Sequence, residues 1–199
     1  MSSFTRNTCR ADSAQRSRSL GVGLALMLAS TGALADGAHR FVFTAYSDGT
    51  AGAEVIDGRY HAALEELRSR PGDVDLDPSA TNTNRCVAYS MTLQWREAHA
   101  ACDAAVRAAG GDRQRSGPSQ WGWPAAANDE RLALAYANRA VMYWLSGEAA
   151  AARQDLAEAE KLSPQADFVA SNLTALKMHA EMAKARGEVA QTGAPTPKS

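Results

Sequence analysis

The sequence lacks the short motifs that mark the common enzyme classes. No G-x-S-x-G, H-E-x-x-H or phosphate-binding glycine loop occurs in its 199 residues, so the usual hydrolase, metalloprotease and nucleotide-binding signatures are missing. Its four histidines, at positions 39, 61, 99 and 179, show no catalytic grouping. We therefore expect no catalytic residue, no cofactor and no enzymatic activity.

Long apolar runs are missing as well. The longest stretch extends only from Leu20 to Ser30, whereas a membrane-spanning helix needs about 20 residues. Four arginines precede this stretch, and Ala33-Leu34-Ala35 follows it directly before Asp36. A basic start, a short apolar run and a small-x-small site are typical of a secretory signal peptide. We expect cleavage after Ala35, which would remove residues 1–35 and leave a periplasmic or secreted protein without stable membrane insertion.

An excess of basic residues is also absent. Residues 1–35 contain four of the 21 basic and one of the 22 acidic residues, so the rest of the chain has 17 and 21, a net charge of −4. Nucleic-acid-binding proteins carry basic patches or stripes, and no such stripe is visible. Nucleic acid is therefore not an expected partner.

Strand-forming residues are sparse after the predicted cleavage site. The best strand candidate is His39 to Tyr46, within an expected extended segment at 36–48. The rest is rich in Ala, Leu, Glu and Arg, which are strong helix formers. We expect helices to end at Gly110-Gly111 and at Gly187, with a loop at 112–127 and a disordered tail at 188–199.

One six-residue sequence motif, which we call the repeated phrase, occurs twice in the predicted helices. NRCVAY at 84–89 returns as NRAVMY at 138–143. Around the second copy, small and bulky residues recur at regular spacing: Tyr136, Ala140, Tyr143, Gly147, Ala152, Leu156, Ala159 and Pro164. The first copy has the same register but fewer matches: Cys86, Tyr89, Trp95, Ala98, Cys102 and Ala105.

This pattern resembles the tetratricopeptide repeat (TPR), a helical hairpin whose signature recurs about every 34 residues. The resemblance covers about 49–186 and implies an all-α fold, a short right-handed α-solenoid of helical hairpins with a C-terminal capping helix. The implied parts, in chain order, are a degraded repeat at 49–77, a repeat at 79–112, an insertion at 113–132, a repeat at 133–166 and a cap at 167–186. The insertion explains why the two copies of the phrase lie further apart than one repeat length. Helix pairs of other solenoid families remain the structural alternative.

Three asparagines recur at the repeat spacing. Asn172 follows Asn138 by one repeat length, and Asn84 precedes Asn138 by one repeat length plus the insertion. The resemblance implies that they face the concave groove, where an amide can bind a peptide backbone because it both donates and accepts hydrogen bonds. Apolar residues of the same faces would complete the groove: Val87, Met91, Val141 and Trp144. Alternatively, the three amides bond one another between adjacent helices.

Two cysteines remain after the predicted cleavage, Cys86 and Cys102. The resemblance implies that they lie on facing helices of one repeat. A disulfide would close a loop of about 15 residues and contribute about 3 kcal/mol, whereas two buried thiols would simply pack well. Export favours the disulfide.

Metal sites are not expected. His99, Cys102 and Asp103 share a helix face, but no matching ligand pair completes a zinc site. Asp73, Asp75 and Asp77 resemble the start of a calcium loop, but Pro78 stands where glycine is required.

The insertion carries Trp121 and Trp123. These residues either anchor the loop onto the helices or contact a partner, since tryptophan is favoured at binding hot spots.

The expected function is the binding of another protein or peptide in the concave groove. The alternative is a structural or assembly scaffold that acts through the convex face or the tryptophan loop. An open, hydrated groove would favour the first hypothesis, and a groove filled by the C-terminal helix or by the N-terminal strand would favour the second.

Overall fold

A computed structural model describes residues 8–10, 40–69, 77–115 and 125–192. These parts are mostly helical, which confirms the all-α class. The strands are β1 (Thr8–Arg10) and β2 (Val42–Thr44). The helices are α1 (Gly52–Ile56), α2 (Tyr60–Ser69), α3 (Pro78–Met91), α4 (Trp95–Arg115), α5 (Ala125–Leu145), α6 (Ala149–Leu162) and α7 (Asp167–Thr192).

The helices pack mainly against their neighbours in the chain. Helix α3 packs on α4, α4 on α5, α5 on α6, and α7 on both α5 and α6. Alanines are fully buried at these interfaces, as at Ala98, Ala140, Ala152 and Ala159. Small side chains let two helix backbones approach closely. Larger buried residues fill the remaining space, among them Leu134, Met142 and Leu156.

Charged side chains join helices that are distant in sequence. The carboxylate of Asp77 accepts a hydrogen bond from the Ala80 N–H at 2.9 Å and so caps α3. Its Oδ2 also accepts from Arg131 Nη2 at 2.6 Å, which ties the start of α3 to α5. Arg139 of α5 donates to Asp155 of α6 at 2.7 Å and to Asp103 of α4 at 2.8 Å. One guanidinium thereby links three consecutive helices.

Strand β2 lies against the helices rather than in a larger sheet. It contacts α5 and α7, and its only strand partner in the described part of the chain is β1. The two strands are antiparallel, with Thr8 opposite Thr44, Cys9 opposite Phe43 and Arg10 opposite Val42. The predicted strand at 39–46 is thus realised at Val42–Thr44, and His39 lies outside the described residues.

Two helix ends were predicted wrongly. Helix α4 continues through Gly110-Gly111 to Arg115, and α7 continues through Gly187 to Thr192. Glycine weakens a helix interior by only about 1 kcal/mol relative to alanine. Gly110 also lies next to Leu132 of α5, whose Cδ1 would be 4.0 Å from an added Cβ. Packing against a neighbouring helix offsets the weak local preference.

The insertion lengthens both helices that flank it. Helix α5 begins at Ala125, inside the expected loop, and Asn128 is buried within the helix. The described residues of the expected loop at 112–127, namely 112–115 and 125–127, are therefore helical. Trp121 and Trp123 lie outside the described residues. Among the described helices, none combines the length and the apolar character that crossing a membrane requires.

Leu93 occupies a backbone conformation that favours glycine. It has φ 59° in the turn between α3 and α4, where Gly147 has φ 92° between α5 and α6. Its side chain is 66% exposed, so it contributes little packing that would offset the strain. The left-handed conformation costs a non-glycine residue about 1–2 kcal/mol.

We expect Leu93→Gly to stabilise the protein by about 0.5–1 kcal/mol, because relief of strain exceeds the added entropy of the unfolded chain. Urea unfolding of the disulfide-bonded protein measures the change. The matched control is Gly147→Ala, where an added Cβ meets nothing within 4 Å and only the backbone cost remains. A Leu93→Gly protein no more stable than wild type would contradict the strain argument.

Candidate functional site: an asparagine ladder

The three predicted asparagines lie on the helices that contact the N-terminal segment. Asn84 is on α3, Asn138 on α5 and Asn172 on α7. All three side chains are almost fully buried. A buried amide is costly unless its oxygen and nitrogen both find hydrogen-bond partners. Their partners therefore identify what this face of the helices binds.

Each asparagine binds one backbone residue of the segment 41–46 through two hydrogen bonds. Oδ1 of Asn84 accepts from the Tyr46 N–H at 2.9 Å, and its Nδ2 donates to the Tyr46 C=O at 2.9 Å. Asn138 contacts Thr44 in the same way, at 2.9 and 2.7 Å. Asn172 contacts Val42, at 2.7 and 3.0 Å. We call these three amides the asparagine ladder.

The ladder suits an extended chain. In a strand, side chains and backbone polar groups alternate with a period of two residues, so residues 42, 44 and 46 present their N–H and C=O groups along one edge. Each asparagine forms hydrogen bonds with the N–H and C=O of one of these three residues. Because α7 contacts residue 42 and α3 contacts residue 46, the segment runs opposite to the order of the helices. The contacts involve only backbone atoms of the segment and so do not depend on its side chains.

Both polar atoms of every ladder amide are thus engaged with the segment 41–46. This differs from the alternative in which the asparagines bond one another. The bound backbone belongs to the chain itself, 38 to 130 residues away in sequence. The described structure therefore places the chain's own extended segment on the face predicted to bind a peptide.

Side chains of the segment complete its anchoring. Phe41, Phe43, Ala45 and Tyr46 are buried in the same core cluster as the predicted groove residues Val87 and Val141. Met91 and Trp144 are partly buried against that cluster. The Phe41 ring lies 5.1 Å from the Trp144 ring and stacks on His179 at 5.6 Å. The segment is thus held by apolar burial as well as by the ladder.

The C-terminal end of the segment is closely packed. Burial raises the pKa of the Tyr46 phenol above its ordinary value, so this group stays neutral. The Arg131 guanidinium lies 5.2 Å from the centre of the Tyr46 ring. An added Cβ at Gly49 would come within 2.9 Å of Asn84 Nδ2, and one at Gly52 would collide with the Tyr46 carbonyl oxygen. Glycine is needed at both positions for the turn that follows the segment.

Cys86 of α3 and Cys102 of α4 are joined by a disulfide. Both are fully buried. At the corresponding positions of the second copy, Ala140 and Leu156 are buried instead. One hairpin is therefore joined covalently where the other is held by apolar packing.

The three residues considered for a zinc site have separate partners. Cys102 is in the disulfide, His99 Nε2 lies 2.9 Å from Glu148 Oε1, and Asp103 binds Arg139. Asp77 caps α3, and Asp73 and Asp75 lie outside the described residues. Within the described ranges, no group of three or more His, Cys, Asp or Glu side chains is placed to hold a metal ion.

Sequence reasoning placed the three asparagines on one face but did not identify their ligand. The available signal was the candidate strand at 39–46, the best strand candidate after the predicted cleavage site. A strand without another strand to pair with must satisfy its backbone groups elsewhere, and three regularly spaced amides offer that. Searches for related proteins add no assignment: no family model, no curated protein and no solved structure matches this chain significantly.

Proposed function

We propose that this chain is an exported TPR-like scaffold that binds another protein, and that its own segment 41–46 permanently fills its concave groove. One observation carries the proposal: all three ladder asparagines are used by the chain's own backbone. A partner would then bind outside the ladder. No enzymatic role forms part of the proposal.

The packing of successive helices supports the TPR-like part of the proposal. Helices α3 and α4 form one packed pair, α5 and α6 form another, and α4 packs on α5 between them. Neighbour-to-neighbour packing is what a helical solenoid requires. The ladder asparagines lie on α3, α5 and α7, which would be the inner helices of such a stack. Helix α7 would then be the cap.

The disulfide supports the export part of the proposal. Disulfides persist in oxidising compartments and are rare in the cytosol. The basic and apolar pattern of residues 1–35 has the layout of a signal peptide. Under this proposal the mature protein begins at Asp36 and retains the whole segment 41–46.

A second candidate function is the binding of a partner peptide in the groove itself. It is favoured by the fact that the ladder contacts only backbone atoms, so another extended peptide could replace residues 41–46 without loss of hydrogen bonds. The burial of Phe41 and Phe43 opposes such an exchange, because their removal would expose apolar surface at roughly 25 cal/mol per Å².

A chemical tether distinguishes the two functions. Phe41→Cys and Trp144→Cys, in a Cys9→Ser background, place thiols where two rings lie 5.1 Å apart, and a short bismaleimide then fixes the segment in the groove. If the groove is permanently filled, the tethered protein should recover the same partner from a periplasmic extract to within about twofold. Quantitative mass spectrometry of the captured material measures the recovery.

The matched control is the same double-cysteine protein without the linker. Both forms must show the same helical circular dichroism before the recoveries are compared. Loss of the partner only after linking would contradict the scaffold proposal and establish the groove as the partner site.

A further inference from the structure

Strand β2 has a second edge that the ladder does not use. Since backbone groups alternate along a strand, residues 42, 44 and 46 face the asparagines, and the N–H and C=O of residue 43 face the opposite way. We call this opposite side the outer edge. In the structure β1 lies along it, with Cys9 directly opposite Phe43. The outer edge therefore accepts an antiparallel strand.

The strand that covers the outer edge lies in the predicted signal peptide. Residues 8–10 precede the expected cleavage site after Ala35, so cleavage would remove β1, the strand that pairs with the outer edge in the described part of the chain. A bare edge carries unsatisfied backbone groups and is a template for pairing with another chain. The ladder would meanwhile keep β2 extended, because its bonds come from α3, α5 and α7, which are retained. The site is thus organised before a partner arrives.

We propose that the outer edge of β2 is a strand-addition site for an extended segment of another protein, which runs antiparallel to β2 and replaces β1. The inference rests on the proposed export, which frees the edge. Main-chain hydrogen bonds would supply most of the recognition, as in other strand-addition complexes. The partner segment needs a free N–H opposite Phe43 and so cannot have proline there.

The structure favours a single extended segment over a second copy of this chain. In the described part of the chain, what lies on the edge is one strand of three residues, Thr8–Arg10. A second copy would have to offer its own β2, which is fixed by hydrogen bonds to the helices and so brings those helices with it. With β1 in place, Phe43 is fully buried in the core cluster, and β1 meets the edge through strand pairing. The site therefore fits a partner that offers backbone groups.

The test uses the full chain with its disulfide formed. Cys9→Pro removes the N–H of the residue opposite Phe43, and Cys9→Ser is the matched control that keeps it. The probe is a synthetic peptide with the sequence of residues 5–13 and serine at the cysteine position. A second peptide carries an N-methyl group on that serine, which removes the donor to the Phe43 C=O and places a methyl group against that oxygen, so the peptide can no longer pair with the edge and the Phe43 N–H loses its acceptor. NMR then compares the amide hydrogen-exchange rate of Phe43 with the rates of Val42 and Thr44.

Cys9→Pro should accelerate exchange of the Phe43 amide at least about tenfold and leave Val42 and Thr44 protected. The unmethylated peptide should restore the protection, and the N-methyl peptide should not. Equal protection of Phe43 in the Pro and Ser proteins, or equal action of the two peptides, would overturn the proposal. So would protection that rises with protein concentration together with dimers in sedimentation, since the occupant would then be a second copy. Export is tested separately, by N-terminal sequencing of the protein recovered from the periplasm.

Discussion

Replacing Asn138 by alanine is expected to lower the free energy of unfolding by about 3 kcal/mol, since each unsatisfied buried polar group costs about 1–3 kcal/mol. The substitution removes two hydrogen bonds to Thr44 and leaves a buried N–H and a buried C=O without partners. Urea unfolding followed by circular dichroism measures the loss. Asn138 is the middle residue of the ladder. The hydrogen bonds of Asn172 to Val42 and of Asn84 to Tyr46 hold the segment on both sides of Thr44, so Thr44 cannot shift to find new hydrogen-bond partners unless those bonds break.

Asn82→Ala is the matched control for this substitution. Asn82 is also a helical asparagine, but its amide donates only to the Pro78 carbonyl of its own helix, at an exposed site. Its replacement should change stability by less than about 0.5 kcal/mol. An equal effect of the two substitutions would mean that the ladder contacts do not hold the segment.

Removal of the disulfide should have a similarly large effect. Replacing both Cys86 and Cys102 by alanine is expected to cost about 3 kcal/mol, because the bridge closes a loop with a sequence separation of 16 and so restricts the unfolded chain. Equilibrium unfolding in urea, without reductant, gives the value. The helical circular dichroism of the folded state should be retained, since the other hairpin has the same architecture without a disulfide.

The second hairpin suggests a control for the cysteine pair. Ala140 and Leu156 are buried at the corresponding positions, so Cys86→Ala with Cys102→Leu copies that arrangement. We expect this protein to recover about 1 kcal/mol relative to the double alanine, through burial of the larger side chain. If the double alanine were as stable as wild type, the account of the disulfide would be wrong.

The helical character and the shared face of the asparagines were predictable from local sequence. Helix-forming residues and their periodicity are local signals, and the repeated phrase at 84–89 and 138–143 fixes one register for both copies. Asn84 and Asn138 fall at the same place in that phrase, and Asn172 follows at the repeat distance. Local patterns therefore suffice to line up the three amides, given helices that pack as neighbours.

The ligand of the ladder was not predictable in the same way. Thr44 and Asn138 are 94 residues apart, and Val42 and Asn172 are 130 apart. No periodicity connects an extended segment to helices at such separations. The end of α4 was predicted wrongly because Gly110 was read as a stop signal, whereas its helix-weakening effect is small and it lies next to Leu132 of the neighbouring helix. Both the ligand of the ladder and the end of α4 therefore depend on tertiary contacts, which local sequence patterns do not specify.

The most direct test of the central claim is the amide exchange of the segment in three single variants. If the ladder holds the chain's own segment, Asn172→Ala should selectively expose the Val42 amide, Asn138→Ala that of Thr44 and Asn84→Ala that of Tyr46. Each selective increase should exceed the acceleration caused by the global loss of stability. Uniform acceleration of all three amides by every variant, or none beyond the global change, would contradict the claim.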